Sequence, residues 1–249
     1  KIAILGAAES GVGAAVLALK KGYDVFVSDM GLIKEHYKDI LNAHGIEWEE
    51  GRHTASRILD AEEIIKSPGI PDNAPMVAEA IAKGIHIINE IEFAARYTNA
   101  KMICITGSNG KTTTTSLIYH LLQQAGLNVG LGGNIGKSYA YQVATEQHDI
   151  YVLELSSFQL DNVYDDEITV NHLNQIVVKA QKLPFTQKDE VAQGAFVKEN
   201  KMVVRYKEQE CDMYLQELAL GGKHNVYNSM AAALAAKAMD IDNAVIRNG

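Results

Sequence analysis

The residues best equipped for chemistry lie together in Thr106-Gly-Ser-Asn-Gly-Lys-Thr-Thr113. Two glycines bound a short polar turn, and a lysine and a run of hydroxyls follow it directly. Backbone N–H groups in such a turn can face phosphate oxygens, the ammonium of Lys111 can reach the outer phosphates, and the Thr112 hydroxyl can meet Mg²⁺. Gly107-x-x-Gly110-Lys111-Thr112 is shorter than the general phosphate-loop spacing. Its setting nevertheless fits a nucleoside triphosphate. Met102 to Ile105 is an apolar run that predicts a buried strand, and Leu117, Ile118, Leu121 and Leu122 recur at helical spacing until Gly126. Downstream, His148 to Glu154 predicts a second buried strand ending in a carboxylate. Phosphate-transfer enzymes place such an acid near Mg²⁺; the alternative is a strand-end charge in solvent. Lys111 and Glu154 are therefore the catalytic candidates, and Thr112 and Glu154 the metal candidates.

A second glycine turn opens the chain. Ile2 to Leu5 predicts a strand, Gly6-Ala-Ala-Glu-Ser-Gly11-Val-Gly13 a turn against a helix, and Val25 to Asp29 a strand ending in an acid that could take ribose hydroxyls. Ala8 stands where a dinucleotide fingerprint wants glycine. A nucleotide-sugar site, a nicotinamide site and a purely structural turn all remain open, and Glu9 and Ser10 could be no more than solvated tip residues. Ser67-Pro-Gly-Ile-Pro71 follows a strand over 61–66; its prolines stiffen a loop at a strand's C-terminal end, where open parallel sheets bind ligands. In Gly132-Gly-Asn-Ile-Gly136, backbone can approach a ligand closely, and Asn134 offers both donor and acceptor or simply forms the turn. Asn225 and Asn228 share one face of the first turn of an alanine-rich helix running to about Ala238, where Asn225 could equally be the N-cap. The residues from Asp166 to Tyr206 suggest mixed helix and strand.

Composition bounds the reading. The 249 residues are 47% hydrophobic, enough for one large or two ordinary domains, and a net charge of −8 without any polybasic run argues against nucleic acid. Cys104 and Cys211 lack metal or disulfide spacing, and Cys104, inside an apolar strand, is expected in the core. No segment approaches the length of a membrane span, and the opening residues form a strand and not a signal peptide. A cytoplasmic, reduced setting is expected.

Taken in order, Gly6-Ala-Ala-Glu-Ser-Gly11, Ser67-Pro-Gly-Ile70, Thr106 to Thr113, Gly132 to Gly136, Glu154-Leu-Ser-Ser-Phe-Gln-Leu160 and His224-Asn-x-x-Asn228 resemble the Mur ligases over nearly the whole chain. The shortened phosphate turn is the form that family uses, and Leu-Ser-Ser-Phe-Gln-Leu points to its D-glutamate-adding branch. The resemblance implies an α/β protein. A Rossmann-like UDP-sugar domain would span 1–97 and a central P-loop-type ATPase domain 98–249, and the family's third, C-terminal domain would begin after Asn248 and is absent from this chain. It implies UDP-sugar contacts at Glu9, Ser10, Asp29, Ser67, Gly69 and Asn134. ATP would lie on Gly107, Ser108, Asn109, Gly110, Lys111, Thr112 and Thr113, with Asn225 and Asn228 along the adenine nucleotide. It implies ATP and Mg²⁺ as cofactors, UDP-N-acetylmuramoyl-L-alanine and D-glutamate as substrates, and a monomer with no nucleic-acid or membrane partner.

The chain departs from that family after Asp161. The family continues into a segment with a metal-binding histidine, and later a carbamylated lysine. Thr169-Val-Asn-His172 imitates the first, yet Asp166 to Thr186 aligns better with a later region. His172 is then an ordinary helix-face histidine, and several dozen residues are missing near Asp165. The rivals are a sister ligase or a folylpolyglutamate synthase, a non-catalytic nucleotide-binding module, and a nicotinamide-dependent oxidoreductase built on the first domain.

Overall fold

The computed structural model describes residues 1–156, 159 and 183–249. They form two compact units. The first holds Lys1–Ala100, Gly132–His148, Leu155, Ser156 and Gln159, and the second holds Lys101–Leu131, Asp149–Glu154 and the described residues from 183 to Gly249. The sequence places one boundary at residue 97; the fold divides at Ala100 and then returns 132–148 to the first unit.

In the first unit, β1 (Ile2–Leu5), β2 (Val25–Asp29), β3 (Glu47–Glu50), β4 (Glu63–Lys66) and β5 (His86–Ile88) make one parallel sheet in the order β3-β2-β1-β4-β5. β1 is central, and all four of its residues are buried, with strands on both edges and α1 (Glu9–Lys20) and the helical turn over 55–58 packed on it. α1 carries buried alanines, glycines and valines that let it lie close to the sheet and to α7 (Tyr139–Thr145). α4 (Pro75–Ala82) starts with proline in its first turn, where a missing N–H costs nothing, and α5 (Glu90–Ala95) is capped by the Asn89 side chain accepting from the Glu92 amide.

β3 was not legible in the sequence, since Glu47-Trp-Glu-Glu50 carries three acids. It forms an edge strand, and its inward acid, Glu49, is fully bonded. Burial pushes the Glu49 carboxyl up, but bonds from Thr54, Ser28 and Arg52 outweigh it and hold the group below the ordinary carboxylate range.

The second unit contains β6 (Lys101–Ile105), α6 (Lys111–Gln124), β7 (Val129–Gly133) and β8 (Ile150–Glu154), with the sheet order β6-β8-β7. Among the described residues β6 pairs only with β8, in parallel register. The expectation that Met102 to Ile105 is a buried strand is therefore corrected: Met102 is 45% exposed, and Cys104 is an exposed thiol, not a core residue. One flank of an edge strand has no neighbour to exclude water.

A four-stranded sheet, β12-β11-β10-β9, follows from β9 (Phe185–Thr186), β10 (Gly194–Lys198), β11 (Lys201–Tyr206) and β12 (Gln209–Tyr214). Where mixed helix and strand were expected, 194–206 is a hairpin, turned by Glu199 and Asn200 at positive φ. α8 (Lys223–Ala238) and α9 (Asn243–Asn248) complete the unit, and α8 packs Met230, Ala233 and Ala236 into the core formed with α6 and the strands.

Candidate functional site

In the second unit, Gly110 stands at φ 77° as the N-cap of α6, a conformation that suits glycine and aims the helix N-terminus along the turn. Gly107 also has positive φ, and Ser108 and Asn109 are exposed, so the turn opens to solvent. Lys111 reaches back over it, its Nζ donating to the Gly107 carbonyl at 2.9 Å. One residue on, the Thr112 hydroxyl donates to Glu154 Oε2 at 2.8 Å. Glu154 is 5% exposed at the end of β8, one strand over from the turn.

The expected catalytic and metal candidates thus converge on one place. A hydroxyl and a carboxylate in contact fit Mg²⁺, which takes few protein ligands and completes its shell with phosphate and water. Among the described residues no cluster of three or more His, Cys, Asp or Glu offers an alternative.

A cavity of about 450 Å³ lies beside the turn, bordered by Asn109, Gly110, Lys111, Thr114, Phe185 and Asn228 among others. Asn228 Oδ1 accepts from Thr114 Oγ1 at 3.3 Å, and a Cβ at Gly110 would stand 2.3 Å from the same oxygen. The turn is therefore glycine on both conformational and packing grounds. Asn225 is not the N-cap of α8, which is Gly222; it donates to the Gly221 carbonyl and accepts from Asn228 at 3.1 Å, steadying Asn228 from behind. Thr113 is half-buried on α6 and is not among the residues that line the cavity. Phe185 and Tyr227, ring centroids 6.3 Å apart, supply an aromatic wall that sequence reasoning missed. Tyr227 hides in a variable position of the His-Asn-x-x-Asn motif, and only the fold brings Phe185 to it.

In the first unit a cavity of about 710 Å³ opens where the turn after β1 meets the loop after β4, the point at which strand order reverses. Asp29, Ser67 and Gly69 line it; Glu9, Ser10 and Asn134 do not. Ser67 Oγ is buried with no hydrogen-bond partner among the described residues, pressed against Gly6, where a Cβ would come within 2.5 Å. An orphaned buried hydroxyl is costly unless a ligand completes it. Lys66 holds the loop, its buried Nζ bonded to the Ile70 carbonyl and to Asp72.

Asp29 is already engaged, taking the Ala7 amide at 2.7 Å and the Gly31 amide at 2.8 Å, so it pins the first turn as well as facing the cavity. Arg52 and His53, on the turn after β3, add a cation and an imidazole to the wall. Burial lowers the His53 pKa. Neither was found in the sequence, because β3 was not. Glu9 accepts from the Ser138 amide and the Tyr37 hydroxyl, Ser10 is half-buried in the first turn of α1, and Asn134 is exposed on its loop in the first unit. His172 and the expected gap near Asp165 lie outside the described residues.

Residues 1–76 match the MurD N-terminal domain, and residues 105–172 match the Mur ligase middle domain. The chain belongs to the Mur ligase family. UDP-N-acetylmuramoylalanine–D-glutamate ligases of Bacteroides fragilis and Porphyromonas gingivalis are each 47% identical to it across 99% of its length. The chain spans 66% of the length of each of these relatives. The alignment with the Bacteroides fragilis protein runs over 295 positions, more than the 249 residues here, so that relative holds residues with no counterpart in this chain.

Among solved structures, the UDP-N-acetylmuramate:L-alanyl-gamma-D-glutamyl-meso-diaminopimelate ligase from Neisseria meningitides is similar with a TM-score of 0.59 at 18% identity, covering 99% of this chain and 96% of that one. The UDP-N-acetylmuramate-alanine ligase of Thermotoga maritima follows the same fold, with a TM-score of 0.55 at 18% identity over 100% of this chain and 67% of that one. No helix among the described residues is long and apolar enough to cross a membrane.

Proposed function

We propose that this protein is an ATP-dependent ligase that joins D-glutamate to UDP-N-acetylmuramoyl-L-alanine through an acyl phosphate, in cytoplasmic peptidoglycan precursor synthesis. The observation that carries the reading is the Thr112–Glu154 contact beneath a lysine-bearing phosphate turn. Membership of the Mur ligase family and the names of the relatives at 47% identity support the choice of substrates. The first unit would hold the sugar nucleotide and the second ATP.

In this reading the amides of Gly107 to Gly110 and the N-terminus of α6 cradle the phosphates, and the Lys111 ammonium leaves the Gly107 carbonyl for the γ-phosphoryl oxygens. Thr112 and Glu154 would hold Mg²⁺, which neutralises phosphate charge when bound. The substrate carboxylate attacks the γ-phosphorus, ADP leaves, and the amine of D-glutamate displaces phosphate from the acyl carbon. Activation is required because a carboxylate is a poor electrophile, and the protein's share is chiefly orientation and charge stabilisation. In the first unit, the unpaired Ser67 hydroxyl and the Gly69 backbone would meet the diphosphate or sugar, with Glu9, Ser10 and Asp29 towards the uracil end and Asn134 reaching the muramoyl group.

The test is product mass after incubation of the full-length protein with ATP, Mg²⁺, UDP-N-acetylmuramoyl-L-alanine and a panel of amino acids. A gain of one glutamyl residue from the D isomer alone is expected; ligation of a different amino acid in its place would overturn the assignment.

A further inference from the structure

Two acids in the first unit converge on one serine, and one of them has no part in the reaction just described. Glu90 opens α5 and is 4% exposed. Its Oε1 accepts from Ser138 Oγ and from the Ala140 amide at 2.9 Å, and the Tyr139 amide also donates to the carboxyl. Glu9 opens α1 and takes the Ser138 amide at 3.0 Å on one oxygen and the Tyr37 hydroxyl at 3.1 Å on the other. Ser138 is the N-cap of α7, 2% exposed, and sits on Gly13, where a Cβ would stand 1.8 Å from its hydroxyl oxygen.

This is more than α7 requires. Ser138 already caps its own helix by accepting from the Tyr141 amide at 3.0 Å, and one serine suffices for a cap. Burying a further carboxylate there is unfavourable unless it holds something in place. What lies immediately before Ser138 is the Asn134 loop. That loop is closed by a bridge between Gly132 and Lys137, turns through positive φ at Gly133 and Gly136, and is steadied where Gln142 Nε2 donates to the Lys137 carbonyl. Its exit residue is gripped from α5 by Glu90 and from the first turn by Glu9.

We propose that Glu90 is a positioning residue for the sugar-nucleotide site: through Ser138 it fixes the Gly132–Lys137 loop, with Asn134 in it, against the Gly6–Glu9 turn. The inference rests on the reading of the first unit as the sugar-nucleotide domain. Burial, with Glu9 adding repulsion, pushes the Glu90 carboxyl up to about 7, while its three donors hold it back from rising further.

Calorimetric titration of the chain with UDP-N-acetylmuramoyl-L-alanine, for wild type, Glu90→Ala, Glu90→Gln, Ser138→Ala and the Glu90→Ala/Ser138→Ala double variant, tests it. Glu90→Ala should weaken binding roughly tenfold, the loss of charge-assisted bonds at one remove. Glu90→Gln keeps an acceptor oxygen and should restore most of that affinity. The double variant should bind no worse than the weaker single variant, because both break one clamp. Mg²⁺–ATP affinity should not change in any variant, and hydrogen exchange at the Ala140 amide should quicken in Glu90→Ala.

Wild-type affinity in Glu90→Ala, a Glu90→Gln variant as weak as Glu90→Ala, or a parallel fall in ATP affinity would overturn the positioning role. A wild-type chain that takes up no sugar nucleotide, while Ala140 protection still depends on Glu90, would instead overturn the reading of the site and this inference with it.

Discussion

β1 and β6 are both short apolar strands, each leading through a glycine turn into a helix, yet the fold treats them in opposite ways. β1 lies between β2 and β4 and its residues are at most 2% exposed, whereas β6 is paired with β8 alone among the described strands and leaves Met102 45% exposed. Their turns differ in the same sense. The first is built into its unit, with the Ala7 amide spent on Asp29 and Gly6 packed on Ser67. The second opens to solvent at Ser108 and Asn109, is crossed by the Lys111 ammonium on the Gly107 carbonyl, and meets the fold at Gly110, which lies against Asn228. A strand-turn-helix pattern therefore announces a phosphate-sized turn, and neighbours remote in the chain settle whether its donors are consumed by the protein or presented to a ligand.

The largest effect that would sharpen this contrast is at Lys111. Lys111→Ala should weaken Mg²⁺–ATP binding on the order of 100-fold with the melting temperature unchanged, because the ammonium serves the open turn and not the core; calorimetry against ATP reads it. Next, Ile4→Ala in β1 should cost about 2–5 kcal/mol in urea denaturation, against less than about 0.5 kcal/mol for Cys104→Ala in β6. Equal losses would break the comparison.

Glu90→Gln should flatten the pH dependence of the first unit's stability. A folded pKa of about 7, above the ordinary carboxylate value of 4.5, means that stability is fully present below 4.5 and is lost as pH rises through 7. The wild type should lose up to roughly 3 kcal/mol across that window. Glu9 is the charge that faces Glu90 from α1, α7 contributes only neutral donors, and on its own helix Glu92 is paired with Arg96. Denaturation at pH 5 and pH 8 in both proteins checks the sign.

The smallest effect is at Ser67, where removing an unpartnered hydroxyl in Ser67→Ala should raise stability by up to about 1 kcal/mol while weakening UDP-sugar binding. A stability loss with unchanged binding would show that the hydroxyl serves the fold.

Much of the molecule was legible because its signals are local. Periodicity at Leu117 to Leu122, glycine at the start of α6 and the alanines of α8 follow from backbone sterics and helical repeat within a dozen residues, so these helices and the glycine turn before α6 were found where they lie. β3 was missed because an edge strand needs no apolar run, and its acid Glu49 is satisfied by Thr54 and Ser28 only once the chain has folded. With β3 went Arg52 and His53. Glu9 was expected at the tip of a nucleotide turn, but its partners Tyr37 and Ser138 lie 28 and 129 residues away.

Residue order alone pointed to the α/β class, two glycine turns and Lys111, Thr112 and Glu154 as candidates, since these depend on near neighbours and on side-chain chemistry. Folding settled which strand is buried, which turn stays open, and that residues 132–148 belong with the first hundred. Burial is a property of whatever packs on both flanks, and no stretch of sequence carries its neighbours with it.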